Sequence, residues 1–130
     1  MADIAAEAEK VIKGLLHEDR RGNQVIDLKT NQIRKVLTAV NALTGRIDVF
    51  KAKNGQTDVL SDELAAEVKY LKVKLVYQAG RERAVKEFTR DANLIRRIDS
   101  VGTSISKYEE FAHYVEALVA YHKFYGGRDK

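Results

Sequence analysis

Arg83, Lys86, Arg90, Asn93 and Arg97 recur at alternating intervals of three and four residues. On a helix, at about 100° per residue, those spacings stack all five side chains on one face. Four of the five are cationic and none is acidic, while Glu82, Glu87 and Asp91 fall at other angles or on the flanks. Like charges so placed destabilise an isolated helix by a few tenths of a kcal/mol per pair. The row therefore makes chemical sense if a polyanion lies along it; the plainer reading is a solvated basic face. Further cations stand at Lys29, Arg34 and Lys35, at Arg46, and at Lys69 and Lys72. Basic residues on separate helices can converge into a groove that follows a phosphate backbone. No aromatic residue is interleaved with them, so the expectation is backbone contact without base stacking or base readout.

Other chemistries are poorly served. Glu110 and His113 have the i, i+3 spacing used by carboxylate-bridged di-iron bundles, but such sites need a second copy of the motif and further glutamates. No glycine-rich phosphate loop follows a strand, and no nucleophile–base pair has a recognisable spacing. His122 lies on an apolar helical face, where a hydrogen-bonded core histidine is the expected role. The sequence predicts no catalytic residue, no metal site and no cofactor.

The elements that must position the cations read as helical. The chain has 130 residues, 45% hydrophobic and 32% charged, with no proline and no cysteine. Without proline the strongest breaker of helix interiors is missing, and without cysteine there is neither a disulfide scaffold nor a thiolate metal site. The formal net charge is +4. The N-terminal stretch carries acids early and lacks a continuous apolar run, unlike a secretory signal. No stretch approaches the ~20 apolar residues of a membrane span. A cytoplasmic, non-membrane protein is expected.

Residues 3–16 predict a short helix, followed by a polar loop broken at Gly22. A second helix starts at Thr30 as N-cap, buries Ile33, Val36, Leu37, Val40 and Leu43, and closes at Gly45. Residues 46–60 carry an Asn54-Gly55 turn signal and are expected as a loop. Ser61, with Asp62 and Glu63 behind it, caps a third helix reaching about Ala79. That helix is apolar on two sides: Leu64, Val68, Leu71 and Leu75 on one, Tyr70, Val73 and Tyr77 on the other. It is therefore central, or packs against a partner. The basic-striped helix runs from Arg81 to about Ile98. After a break at Gly102, Ser106 and Glu109 fit a capping box for a last helix. Its inner face is Tyr108, Phe111, Tyr114, Val115, Leu118, Tyr121, His122 and Tyr125, and Gly126-Gly127 stops it. Six of the ten aromatic residues lie between Tyr108 and Tyr125. The expectation is an all-α domain over 1–130: an N-terminal helix and loop (1–28) beside a compact bundle of four core helices (29–126).

Three strings carry a resemblance: TNQIRKVLTAVNAL at 30–43, SDELAAEVKYLKVKLVYQAGRERAVKEF at 61–88, and HYVEALVAYHKFYGGRD at 113–129. In this order they are similar to the small-subunit family of the type III-A CRISPR Csm effector complexes. The TNQIRK, LKVKLVYQAGR and YHKFYGG segments are specific together and weak singly. Residues 1–28 and 45–60 do not share in the likeness. The resemblance implies an all-helical, non-catalytic subunit present in several copies, stacked beside the backbone subunits and near the large subunit. Those copies line the channel in which guide RNA and target RNA pair. By position it assigns RNA contact to Arg34, Lys35, Lys72, Arg81, Arg83 and Lys86, and the stripe geometry adds Arg90 and Arg97. A helical adaptor whose important surface is apolar, with cations serving only solubility, is the competing function.

Overall fold

The computed structural model describes residues 3–55 and 57–126. Asp3 opens the first helix, α1 (Ile4–Leu15), by accepting the Ala6 N–H at 3.1 Å. Two short antiparallel strands follow, β1 (Leu16–Glu18) and β2 (Gln24–Ile26), in register Leu16 to Ile26, His17 to Val25 and Glu18 to Gln24. The stretch expected as a plain loop is thus a hairpin. Its turn is held by the Asp19 carboxylate, which accepts the Arg21 and Asn23 N–H groups at 2.9 Å each, and by Gly22 at φ +81°.

The long helix α2 (Thr30–Asn54) overturns two expectations. Lys29, not Thr30, is the N-cap position, and its N–H is satisfied by the Gln32 side chain at 2.8 Å. Gly45 does not end the helix. The apolar rhythm Val36, Val40, Leu43 continues to Ile47 and half-buried Phe50, so residues 46–54 are helical rather than loop. A glycine inside a helix costs about 1 kcal/mol relative to alanine. Burying Ile47 alone contributes roughly 1.5–3 kcal/mol, and Arg46 adds ion pairs to Glu63 and Glu67 of the next helix at 3.0 and 2.8 Å. Packing therefore outweighs propensity. The Asn54-Gly55 signal is the true terminus, with Gly55 at φ +71°.

Helix α3 (Asp62–Arg81) begins where expected, Ser61 Oγ accepting the Leu64 N–H at 3.2 Å. Beyond it the single striped helix is absent. Instead α4 (Arg83–Asp91) and α5 (Leu94–Asp99) are separated by Asn93 in the left-handed conformation (φ 57°, ψ 38°). Asparagine tolerates that region better than most side chains, and the break lets Ala92, Leu94 and Ile98 all reach the core.

The last helix, α6 (Ile105–Phe124), is capped by Ser104, two residues before the expected Ser106: Ser104 Oγ accepts the Lys107 N–H at 3.2 Å. Ser106 serves a different contact. The Asp58 carboxylate accepts the Ser106 N–H at 2.7 Å and the Ser104 hydroxyl at 2.9 Å. These bonds hold the Asp58 carboxyl below its usual range and pin the connection between α2 and α3 to the start of α6. Gly126 (φ +96°) follows the helix; Gly127 lies outside the described residues.

Helix α6 packs on α1, α2 and α5, while α3 packs on α2, α4 and α5. Tyr108, Phe111, Tyr114, Val115 and Leu118 of α6 fill the centre. The Tyr108 hydroxyl donates to the Val40 carbonyl at 2.8 Å, and burial raises its pKa to about 12. His122 is buried as expected, its Nε2 2.7 Å from the Leu28 carbonyl. The fold is all-α apart from the hairpin, with six helices among the described residues rather than five.

Candidate nucleic-acid interface

The start of α2 lies beside the end of α3, and one side chain joins them. Gln32, which caps α2 with its carbonyl oxygen, donates from its amide nitrogen to the Glu82 carboxylate at the α3–α4 junction. This brings the TNQIRK and QAGRER segments, far apart in sequence, together. Along the same seam Lys35 lines a groove of about 400 Å³ with Tyr70, Lys74 and Tyr77. Arg34, Lys35 and Lys74 line the adjoining depression. Arg81 sits 5.6 Å from the Tyr77 ring centroid. Arg34, Lys35, Lys74 and Arg81 are all exposed, and no carboxylate lines either hollow.

The remaining expected residues divide. Arg83, Lys86 and Arg90 stay on one face of α4, within about 60° of arc, and all are exposed. Arg83 meets Glu87 at 3.2 Å and Arg90 meets Asp91 at 3.1 Å. Exposed pairs of this kind contribute little and exchange readily for another anion. Arg97 leaves the row because of the break at Asn93. It is half-buried, 3.8 Å from the Tyr114 ring centroid and 3.3 Å from the Glu7 carboxylate. Lys72 points to the other side of α3, roughly 180° from Arg81, and holds Asp99 of α5 at 2.8 Å. The structure thus gathers Arg34, Lys35 and Arg81 along the α2–α3 seam, keeps Arg83, Lys86 and Arg90 together on one exposed face of α4, and pairs Lys72 and Arg97 with acids of other helices.

Sequence reading missed Lys74 and the interleaving of aromatics with cations. Tyr70, Lys74, Tyr77 and Arg81 are spaced four, three and four, which is one helical stripe, although grouping the two tyrosines with Val73 reads them as an apolar face. The signal was present in the spacing. Glu110 and His113 are exposed on α6, and among the described residues no three His, Asp or Glu side chains cluster as metal ligands. No helix of the described residues is long and apolar enough to cross a membrane.

Residues 7–128 match the family model described as Csm2 Type III-A. The chain belongs to this family. The protein of Streptococcus thermophilus called CRISPR system Cms protein Csm2 is 41% identical over 122 residues, covering 94% of this chain and 90% of that protein. Proteins of the same name from Mycobacterium tuberculosis H37Rv and Enterococcus italicus are 37% and 35% identical. The first covers 98% of this chain and 95% of the relative, the second 83% and 78%. Membership makes the chain a component of a type III-A Csm system. The family match spans the hairpin and residues 46–54 as well, a wider extent than the three strings suggested.

Proposed function

We propose that the chain is a non-catalytic, cytoplasmic RNA-binding subunit of a type III-A Csm ribonucleoprotein. Several copies stack along the channel in which guide RNA and target RNA pair, beside the backbone and large subunits, and hold the target backbone through basic side chains. One observation carries this reading: Lys35 of α2 and Tyr77 of α3 line one groove without a lining carboxylate, and Arg81 lies 5.6 Å from the centroid of that same Tyr77 ring. Arg34 and Lys74 line the adjoining depression, and the reading assigns the exposed Arg83, Lys86 and Arg90 of α4, which follow Arg81 in the chain, to the same contact set. Lys72 and Arg97, held by Asp99 and Glu7, are left out of the contact set.

Phosphate contacts of this kind position a strand without choosing its sequence; selectivity rests with guide–target pairing. Each contact adds roughly 0.7 to the salt slope of single-strand binding. A single copy binds weakly, and a row of copies gains through multivalency. The test is RNA retention by the assembled complex when Arg34, Lys35 and Arg81 are replaced by glutamate. A reduced target affinity with a shallower salt dependence is expected. Unchanged retention with an unchanged slope would overturn RNA contact and favour the adaptor reading.

A further inference from the structure

The exposed side of α3 carries more than charge. Tyr70 and Tyr77 are 56% and 61% exposed, unusually open for residues of their size, and Val73 and Val76 between them are also open. Lys74 Nζ lies 5.2 Å from the Tyr70 centroid, and Arg81 lies 5.6 Å from that of Tyr77. The helix thus presents ring, cation, ring, cation in order along one stripe. The rings stand about 10 Å apart along the axis, too far to grip one group between them, so each offers a separate face. A cation beside each ring restrains its orientation and supplies charge for a phosphate next to whatever stacks there.

From this we infer that Tyr70 and Tyr77 form a stacking platform for unpaired bases of a single-stranded RNA whose phosphates run along Lys35, Lys74 and Arg81. The proposal rests on the RNA-binding reading and adds contacts to bases where that reading has contacts to phosphates only. A single strand fits this surface because it supplies aromatic faces and anions at alternating positions. A second copy docking by the same face would bring the Lys74 and Arg81 of both chains into one patch that has no lining carboxylate to offset them. The stacking is sequence-tolerant, because every base has a π-face. It therefore leaves selectivity with guide–target pairing.

The experiment uses the full chain with an oligouridylate of about 12 nucleotides and an abasic oligomer of equal length, a span typical of single-strand sites. Y70A/Y77A is expected to bind oligouridylate about fivefold or more weakly than wild type, and the abasic oligomer equally. Y70F/Y77F, which keeps both rings, is expected to restore binding. Both tyrosines are exposed, so the folded state is retained, and circular dichroism checks it. If Y70A/Y77A binds both oligomers as wild type does, the platform is overturned; the phosphate reading then survives where R34E/K35E/R81E weakens both. If Y70A/Y77A leaves RNA affinity intact and instead abolishes a concentration-dependent dimer in sedimentation, the face is a contact between copies and the platform is likewise overturned.

Discussion

The guanidinium of Arg97 lies 3.8 Å from the centroid of the Tyr114 ring, whose hydroxyl donates to the Ala92 carbonyl at 2.9 Å. One arginine thus braces the α4–α5 break against α6, and its ion pair with Glu7 ties in α1 at 3.3 Å. A cation on a ring, shielded from water, contributes up to about 2 kcal/mol. R97A should cost about 1–2 kcal/mol and lower the melting temperature by roughly 4–7 °C. RNA affinity of the folded protein should not change. R83A, on a freely exposed side chain, should leave stability within about 0.5 kcal/mol. Thermal melts of both variants check the contrast, and equal shifts would show that Arg97 is not a brace.

Gly45 sits inside α2, and beyond the helix's own adjacent backbone nothing lies within 4 Å of where a Cβ would stand. G45A removes a helix-interior penalty without meeting any neighbour. Stability should rise by roughly 0.5–1 kcal/mol, seen as a higher urea midpoint with an unchanged slope. A lower midpoint would mean that α2 is interrupted there.

The same glycine shows where the sequence was legible and where it was not. Ser61 with Asp62 and Glu63 declared a helix start because cap, charge and dipole all agree locally, and that start is found. The aromatic inner face of α6 was equally plain, since eight residues share one period. Gly45 misled because its propensity is local, while the packing of Ile47 and Phe50 that overrides it comes from other helices. Asn93 misled differently: its place in a periodic row hid a residue able to turn left-handed. The cations on α2 and the α3–α4 corner were readable one by one. Their meeting was not, because it comes from the packing of α3 on α2, and the Gln32–Glu82 bond that marks the seam is long-range and has no sequence signature. Lys72 and Arg97 looked like their neighbours in the chain, and only the tertiary partners Asp99, Glu7 and Tyr114 separate them.

His122 gives the fold a pH dependence. A carbonyl oxygen can only accept, so Nε2 carries the proton donated to Leu28. Burial disfavours the charged form and lowers its pKa, with nearby Lys123 adding to the effect; the bond to Leu28 opposes it only in part. In the unfolded chain the imidazole titrates near ~6.5. The unfolded state therefore binds more protons just below that value, and stability falls as pH drops through it. The contribution is fully present above ~6.5 and is lost toward the lower folded value. Melting temperatures at pH 8 and pH 5 should differ more for wild type than for H122Q, whose amide keeps a donor but does not titrate. His17 and His113 remain in both proteins, so the difference isolates His122. Parallel profiles would refute the assignment.

Lys72 and Lys74 are two residues apart on α3 and point to opposite sides of it. Lys74 leans on Tyr70 over the groove shared with α2, whereas Lys72 reaches Asp99 on α5. If the α2–α3–α4 face holds a phosphate backbone, the two lysines must answer differently to the same substitution. K74A should weaken single-stranded RNA binding and reduce the salt slope by roughly 0.7, with stability almost unchanged. K72A should leave the slope alone and cost at most about 1 kcal/mol, the range of an exposed ion pair. Binding isotherms at several salt concentrations, with melts of each variant, separate the cases. Should K72A rather than K74A flatten the salt dependence, the strand runs along the α3–α5 side, and Lys35, Lys74 and Arg81 are not its contacts.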